Sequence, residues 1–454
     1  MAQVDRRVVL LVVTLTSFLT PFTSSSFNIA LPSISKEFSL DAITMSWASL
    51  SYLLTSEMFL VPFGRLADII GRKKLYVAGT FIFSVASFLL GIYPSAEIIV
   101  ILRAIQGFGT AMIFGTGIAI LVSVTPPNEK GTILGINAAS VYVGLSAGPF
   151  LGGMITQNLG WRSLLFTAGI LGLISLVVTV LKLEGEWTEA RGEDFDVLGS
   201  IVYAGTLLAL MYGFSVLPAI IAIIPITVGL IGTALFIWVE NHTEQPILPI
   251  KLFSGNPAFA FNNLAALINF SSTYSVTFML SIYLQYIRGF SPQNAGLIMI
   301  ASPVVQAVLS PITGKLSDKI DPQKVASIGM AITGIGLASF AFLDETTPIW
   351  SVIASLVLLG SGLALFSSPN TNAVMSSVDR RLYGVASSTL GTMRLVGQMT
   401  SMGITMIIFA VLIGRVEITP AVYHELLGGV KIVFTVSAML CVLGVWASLQ
   451  KKKE

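Results

Sequence analysis

Apolar residues run along this chain in long blocks broken by short polar stretches, without the every-second-residue alternation of barrel strands. About 20 mostly apolar residues in a helix cross the hydrocarbon layer of a membrane. Fourteen blocks of that order stand out, at roughly 8–31, 43–63, 75–94, 98–123, 131–157, 163–182, 197–215, 218–239, 257–284, 293–313, 324–343, 349–370, 383–413 and 429–448. A backbone inside a bilayer must satisfy its own hydrogen bonds, which leaves helices or closed barrels, and the missing alternation selects helices. The pattern predicts an all-α integral membrane protein with about fourteen transmembrane helices. The blocks at 257–284 and 383–413 are long enough to tilt or to run past the bilayer.

Composition fits that solvent. Of 454 residues, 54% are hydrophobic and 11% charged, where soluble domains carry roughly 25% charged residues. Arg6 and Arg7 precede a first block longer than a signal-peptide core of about 7–15 residues, so it is expected to remain as a span. The single cysteine, Cys441, forms no intramolecular disulfide, and His242 and His424 lie in separate loops, so neither a metal site nor a cofactor is expected. A net charge of +2 gives no reason to expect a nucleic-acid partner. No G-x-x-x-x-G-K-[ST] phosphate loop argues for an ATP-driven pump, and no Ser/His/Asp or metal-ligand set argues for an enzyme.

Charge also orients the spans. With both termini cytoplasmic, eighteen of the 25 Lys and Arg fall in inner segments and five in outer loops, while Arg103 and Arg394 lie within helices. Thirteen or fifteen spans would spoil that asymmetry. The expected layout is a six-helix half at 1–182, an acidic cytoplasmic linker at 183–196, two inserted helices at 197–239, a second linker at 240–256 and another six-helix half at 257–454. The acidic linker reads as solvated chain between halves. Gly64-Arg65-Leu66-Ala67-Asp68 after the second helix recurs as Gly314-Lys315-Leu316-Ser317-Asp318 after the tenth, an equivalent place if helices 7 and 8 are an insertion. Repeated halves with a central site are a common transporter build.

Three motifs sharpen this. Gly64-Arg65-Leu66-Ala67-Asp68-Ile69-Ile70-Gly71-Arg72-Lys73-Lys74 resembles the G-x-L-a-D-r-x-G-r-k loop of the major facilitator superfamily. Arg103-Ala104-Ile105-Gln106-Gly107-Phe108-Gly109 resembles its R-x-x-q-G-x-g pattern. The stretch Gly144 to Gly153, with Gly148, Pro149 and Gly152, is similar to the G-x-x-x-G-P-x-x-G-G signature of its antiporters. Further segments resemble the fourteen-helix drug:proton antiporter branch, including Asn28-Ile29-Ala30-Leu31-Pro32, Gly160-Trp161-Arg162, Tyr283-Leu284-Gln285, Ser368-Pro369-Asn370, and Arg394 with Gly397-Gln398. The resemblance runs from about Asn28 to Gln398 and is weakest in helices 7, 8 and 14. It implies a conformational latch at Gly64, Asp68, Gly71, Arg72, Gly314 and Asp318, and a part for Arg103 in proton transfer. A purely structural Arg103, pinning helices through carbonyls, stays open. The branch usually carries an acid in helix 1. Thr23 stands there in this chain, so coupling is not transferred to that position.

Glu57 is the one carboxylate well inside a predicted span, about 10 Å below Gly64. Intramembrane acids are functional candidates by default, so Glu57 is the expected proton site. The alternative is an acid that only hydrogen-bonds a neighbouring helix. Asn28, Tyr52, Gln106, Asn137, Asn262, Asn269, Gln285, Gln306, Asn370, Arg394 and Gln398 are candidates to line a substrate cavity. The expected function is a secondary exporter of lipophilic drugs in exchange for protons. It would be a multi-pass protein of the cytoplasmic membrane, acting as a monomer in the lipid bilayer with a proton gradient as energy source. The alternatives are an exporter of an anionic or neutral metabolite, lipid or tetracycline-like antibiotic, with Arg103 and Arg394 meeting the cargo, and more distantly a non-transporting scaffold or receptor.

Overall fold

The computed structural model describes residues 6–92, 95–126, 130–188, 192, 195–242, 250–317, 319–378 and 383–449. Over these the chain is helical almost throughout. The first helices are α1 (Arg6–Phe38), α2 (Ala42–Ile70), α3 (Arg72–Ile92), α4 (Ala96–Ser123), α5 (Lys130–Leu159), α6 (Trp161–Lys182), α7 (Val197–Ser215) and α8 (Ile223–His242). After the short α9 (Ile250–Gly255), α10 (Pro257–Thr273), α11 (Val276–Ile282) and a closing π turn (Tyr283–Ile287) form one rod. Next, α12 (Pro292–Met299) and α13 (Ala301–Ser317) form another rod. The last four helices are α14 (Pro322–Phe340), α15 (Ile349–Ser376), α16 (Tyr383–Leu412) and α17 (Tyr423–Ser448). Fourteen rods therefore stand among the described residues. Twelve are long and apolar enough to cross a membrane. The other two are α2, rich in Ser and carrying Glu57, and α14, which opens on Pro322-Gln323-Lys324.

Local chemistry sets the ends. Asp41 caps α2 by accepting from the backbone N–H groups of Ile43 and Thr44, Ser95 caps α4, and Asn256 and Asp321 cap α10 and α14 ahead of a Pro in the first turn. Such caps satisfy N–H groups that have no partner within the helix. Gly71, at φ 124°, separates α2 from α3, a left-handed region that favours glycine. Several helices outrun their apolar blocks: α2 reaches Ile70 and α15 reaches Ser376. Hydropathy marks where hydrocarbon ends, whereas helical hydrogen bonding continues into the polar boundary. The block at 293–313 is split at Ile300, where Pro303 cannot donate to the Met299 carbonyl.

The chain divides into two compact units, Met1–Leu208 with Ser291–Gly296, and Ala209–Phe290 with Leu297–Glu454. In the first unit α1 packs on α4, α5 and α6, α2 on α4, and α3 on α4 and α6. In the second α10 packs on α15, α16 and α17, α13 on α15, and α14 on α15 and α17. The same partner scheme recurs with α1–α6 replaced by α10 and α13–α17, which gives the sequence repeat a structural counterpart.

Within each unit the seams are small and hydroxylated. Lipid is as apolar as Leu, so helices associate through close packing and hydrogen bonds. Buried Thr20, Thr23, Thr80, Ser84 and Ser87 each donate to the carbonyl four residues back, which lets a polar side chain enter an apolar interior at little cost. Large apolar side chains such as Val177, Leu181, Leu230, Met439 and Val442 face outward, as hydrocarbon requires.

Candidate functional site

Glycine spacing shapes the first unit. Gly144, Gly148 and Gly152 recur every four residues and form one ridge of α5 against α1. A Cβ at these positions would fall 2.3 Å from the Phe18 carbonyl oxygen, 1.7 Å from Ser25 Oγ and 2.6 Å from Ser26 Cβ. The close approach allows Ser26 to donate to the Gly148 carbonyl at 3.0 Å. Gly153 faces the backbone of Pro292 in the same unit.

Arg103 sits in the middle of this unit and is completely enclosed. Its Nε donates to the Ala48 carbonyl at 3.1 Å and its Nη1 to Gln106 Oε1 at 2.5 Å, while Gln106 Nε2 donates to Ser87 Oγ at 2.7 Å. The guanidinium lies between two rings, 4.1 Å from the Phe27 centroid and 4.2 Å from that of Tyr52. The Tyr52 hydroxyl in turn accepts from Thr110 and reaches the Thr20 carbonyl. Gly107 makes this possible, because a Cβ there would sit 2.2 Å from the Tyr52 carbonyl oxygen. The network ties α1, α2, α3 and α4 together around one permanent charge. Asn28 accepts from Ser49, and Asn137 accepts from Ser17.

Glu57 lies on α2 at 1% exposure, and among the described residues neither carboxyl oxygen has a hydrogen-bond partner. No described arginine or lysine forms an ion pair with it. The Tyr203 phenol of α7 lies within electrostatic reach, a neighbour that the sequence marks only as one tyrosine in an apolar run. A buried carboxylate without a counter-charge is costly; the same group as a neutral acid is tolerated far better.

About two turns along α2 from Glu57, Gly64 meets Gly115 where α2 crosses α4. Asp68 accepts from Arg72 Nε at 2.7 Å, and Arg72 Nη1 donates to Ser123 Oγ at 2.8 Å, so the predicted latch residues join the ends of α2, α3 and α4. The start of the acidic linker is docked on them. Glu186 accepts from the backbone N–H groups of Lys73 at 2.7 Å and Lys74 at 3.2 Å, Arg72 N donates to the Trp187 carbonyl, and Lys73 Nζ donates to the Leu183 carbonyl. Trp187 packs on the apolar core of the unit.

In the second unit Gly314 lies against Ser368 of α15, and Asp318 falls outside the described residues. Asn262 accepts from Gln323, Asn269 contacts the Met330 sulfur at 3.4 Å, and Gln285 donates to Ser281 within its own rod. These side chains join or stabilise rods. Gln306 and Gln398 are half-buried, and Asn370 is buried with its Oδ1 unpartnered. Arg394 is half-buried, donates from Nη2 to Thr371 Oγ1 at 3.2 Å and stands 5.4 Å from the Phe270 ring. The structure thus gathers Arg103, Gln106 and Tyr52 into one network and places Arg394 beside Thr371 and Phe270. Phe27, Ser87, Tyr203 and Glu186 are participants that no sequence motif singled out.

The family model described as Major Facilitator Superfamily matches residues 13–402 and 263–451. The riboflavin transporter RibZ of Clostridioides difficile is 29% identical over 85% of this chain and 84% of its own length. The multidrug resistance protein Stp of Mycobacterium tuberculosis is 28% identical over 82% of this chain and 70% of its own. Among solved structures, a bacterial homologue of the human lysosomal transporter Spinster, inward-facing and unoccupied, superposes with a TM-score of 0.72 at 16% identity, covering 98% of this chain and 96% of the other. That likeness concerns the fold.

Proposed function

The chain belongs to the Major Facilitator Superfamily, and we propose that it is a proton-coupled exporter of lipophilic compounds in the cytoplasmic membrane, of the fourteen-helix drug:proton antiporter branch. Fourteen rods, the glycine ridge of α5 and relatives named for multidrug resistance and riboflavin transport support this reading. The observation that carries it is Glu57, an acid buried in α2 with both oxygens unpartnered among the described residues.

Glu57 holds the coupling proton while its surroundings are apolar. It gives the proton up when a change in the packing around α2 admits water, because only solvation or a counter-charge offsets the cost of the anion. The latch residues Gly64 and Asp68 lie on the same helix, so a movement that opens the cytoplasmic end also changes the surroundings of the acid. A proton enters from outside, neutralises Glu57 and is released inside; the cargo moves the other way by alternating access. Arg103 does not pass a proton in this cycle, since a guanidinium keeps its own. Its role is to fix Tyr52 and the four helices around it.

The test uses inverted vesicles holding the protein, acidified inside by respiration, with a panel of lipophilic cations, anions and neutral drugs. Some compounds are expected to release the internal acid with wild-type protein and none with Glu57→Gln. Equal release by both proteins would move the proton site away from Glu57. Release by neither, from folded wild-type protein, would remove antiport.

A further inference from the structure

Every transmembrane charge needs a partner, and among the described residues Arg394 has no acidic one. It lies eleven residues into α16, about 16 Å along the helix from its start. Arginine cannot shed its charge, and its fork offers five N–H donors. Among the described residues one is used, toward Thr371 Oγ1, and Nε is buried without a partner. The rods from α10 to α17 carry no Asp or Glu except Glu425 in the first turn of α17. Arg103 makes the contrast, with its guanidinium enclosed, stacked and hydrogen-bonded. Arg394 instead is only half-buried, and a charge within a span is expected to face the bundle interior or a water-filled cavity and not hydrocarbon.

The surroundings are built for a planar group. Gly397, one turn from Arg394, lets α16 approach α10 so closely that a Cβ there would lie 2.6 Å from the Leu267 carbonyl oxygen and 2.8 Å from Phe270 Cβ. That approach seats the Phe270 ring beside the guanidinium. Thr371 is itself fixed by donating to the Ser367 carbonyl at 2.9 Å, and so offers Arg394 a lone pair in a set direction. Asn370, in the same turn, keeps a buried Oδ1 free of partners. A held guanidinium with unused donors, next to an aromatic face, matches a carboxylate carried on an aromatic ring.

We propose that Arg394, Thr371 and Phe270 form an anion subsite in the second unit that takes the carboxylate of an aromatic cargo. The inference rests on the exporter reading and narrows it, from lipophilic compounds in general to aromatic acids. The cargo's own charge supplies the counter-ion that the described residues do not.

Binding tests it without a proton gradient, so its failure leaves antiport untouched, and failure of the vesicle assay leaves binding untouched. Purified protein in nanodiscs of neutral phosphatidylcholine, which brings no anionic headgroup, is titrated with 1-naphthoate, salicylate and anthracene-9-carboxylate, each beside its primary amide. At least one acid is expected to bind about tenfold to a hundredfold more tightly than its amide. Arg394→Gln is expected to erase that ratio while keeping amide binding, and Arg394→Lys to restore part of it. No acid binding better than its amide, or the preference surviving in Arg394→Gln, would overturn the assignment. Should Arg394→Gln fail to fold, phenylglyoxal modification of wild-type Arg394, read by peptide mass, decides: the preferred acid slows it and the amide does not. Equal modification with acid and amide sinks the proposal.

Discussion

Adding one methyl group at Gly107 tests whether the first unit is held as described. The new Cβ would meet the Tyr52 carbonyl oxygen at 2.2 Å and Thr55 Oγ1 at 2.3 Å, about 1 Å or more inside ordinary contact. One of those atoms is backbone of α2, so the helix must retreat. Overpacking of this kind costs about 1–3 kcal/mol. Retreat also stretches the Thr55 hydroxyl's 2.7 Å hydrogen bond to the Ala104 carbonyl, worth about 1 kcal/mol between membrane helices. It lifts the Tyr52 ring from Arg103, with a further loss of about 1 kcal/mol. Gly107→Ala should therefore destabilise by roughly 3–5 kcal/mol, a fall in melting temperature on the order of 10 °C. The control is Gly205→Ala in α7, where an added Cβ meets nothing within 4 Å and helix propensity favours Ala by about 1 kcal/mol. Scanning fluorimetry of the two variants in one detergent reads the difference. If Gly107→Ala melts within about 2 °C of wild type, the tight α2–α4 crossing and the Arg103 enclosure built on it are wrong.

Two further outcomes follow from the polar boundary. Glu186→Ala removes the acceptor of the Lys73 and Lys74 N–H groups, so hydrogen exchange at those two amides should quicken while α5 is unchanged; unchanged amides would show that the linker does not dock on α3. In the loop between α14 and α15, hydrogen bonds from the Thr346 hydroxyl and N–H, then from Thr347, hold the Asp344 carboxyl below its ordinary 3.8. A depressed carboxyl stabilises its loop above the unfolded value and loses that contribution as pH falls through the folded one. The Thr346 amide should thus be better protected in wild type than in Asp344→Asn at neutral pH, with the difference vanishing as the pH falls through the carboxyl's depressed folded value. A difference that persists in acid would assign the protection to something other than the carboxylate.

Apolar block length made the rods legible, because lipid imposes it directly. The glycine ridge was legible as a spacing, since i, i+4 and i+8 share a helix face, but its partners Phe18, Ser25 and Ser26 on α1 were not. Arg103 announced itself as a costly charge, and nothing local pointed to Phe27 or Ser87, which lie on other helices. The linker read as solvated because it is acidic. Its acidity also suits the start of α3, where N–H groups lack helix partners and attract a carboxylate. The break at Ile300 was readable in principle from Pro303, and the extended ends of α2 and α15 were not, since hydropathy is silent outside hydrocarbon.

The central claim is that Glu57 couples cargo movement to protons without being needed for cargo movement itself. Proteoliposomes holding wild type or Glu57→Gln, loaded with a cargo identified in the vesicle screen, separate the two. Exchange of labelled for unlabelled cargo at equal pH should persist in Glu57→Gln, while uphill transport driven by a pH gradient should disappear. Uphill transport at the wild-type rate in Glu57→Gln, or loss of exchange from the folded variant, would contradict the claim.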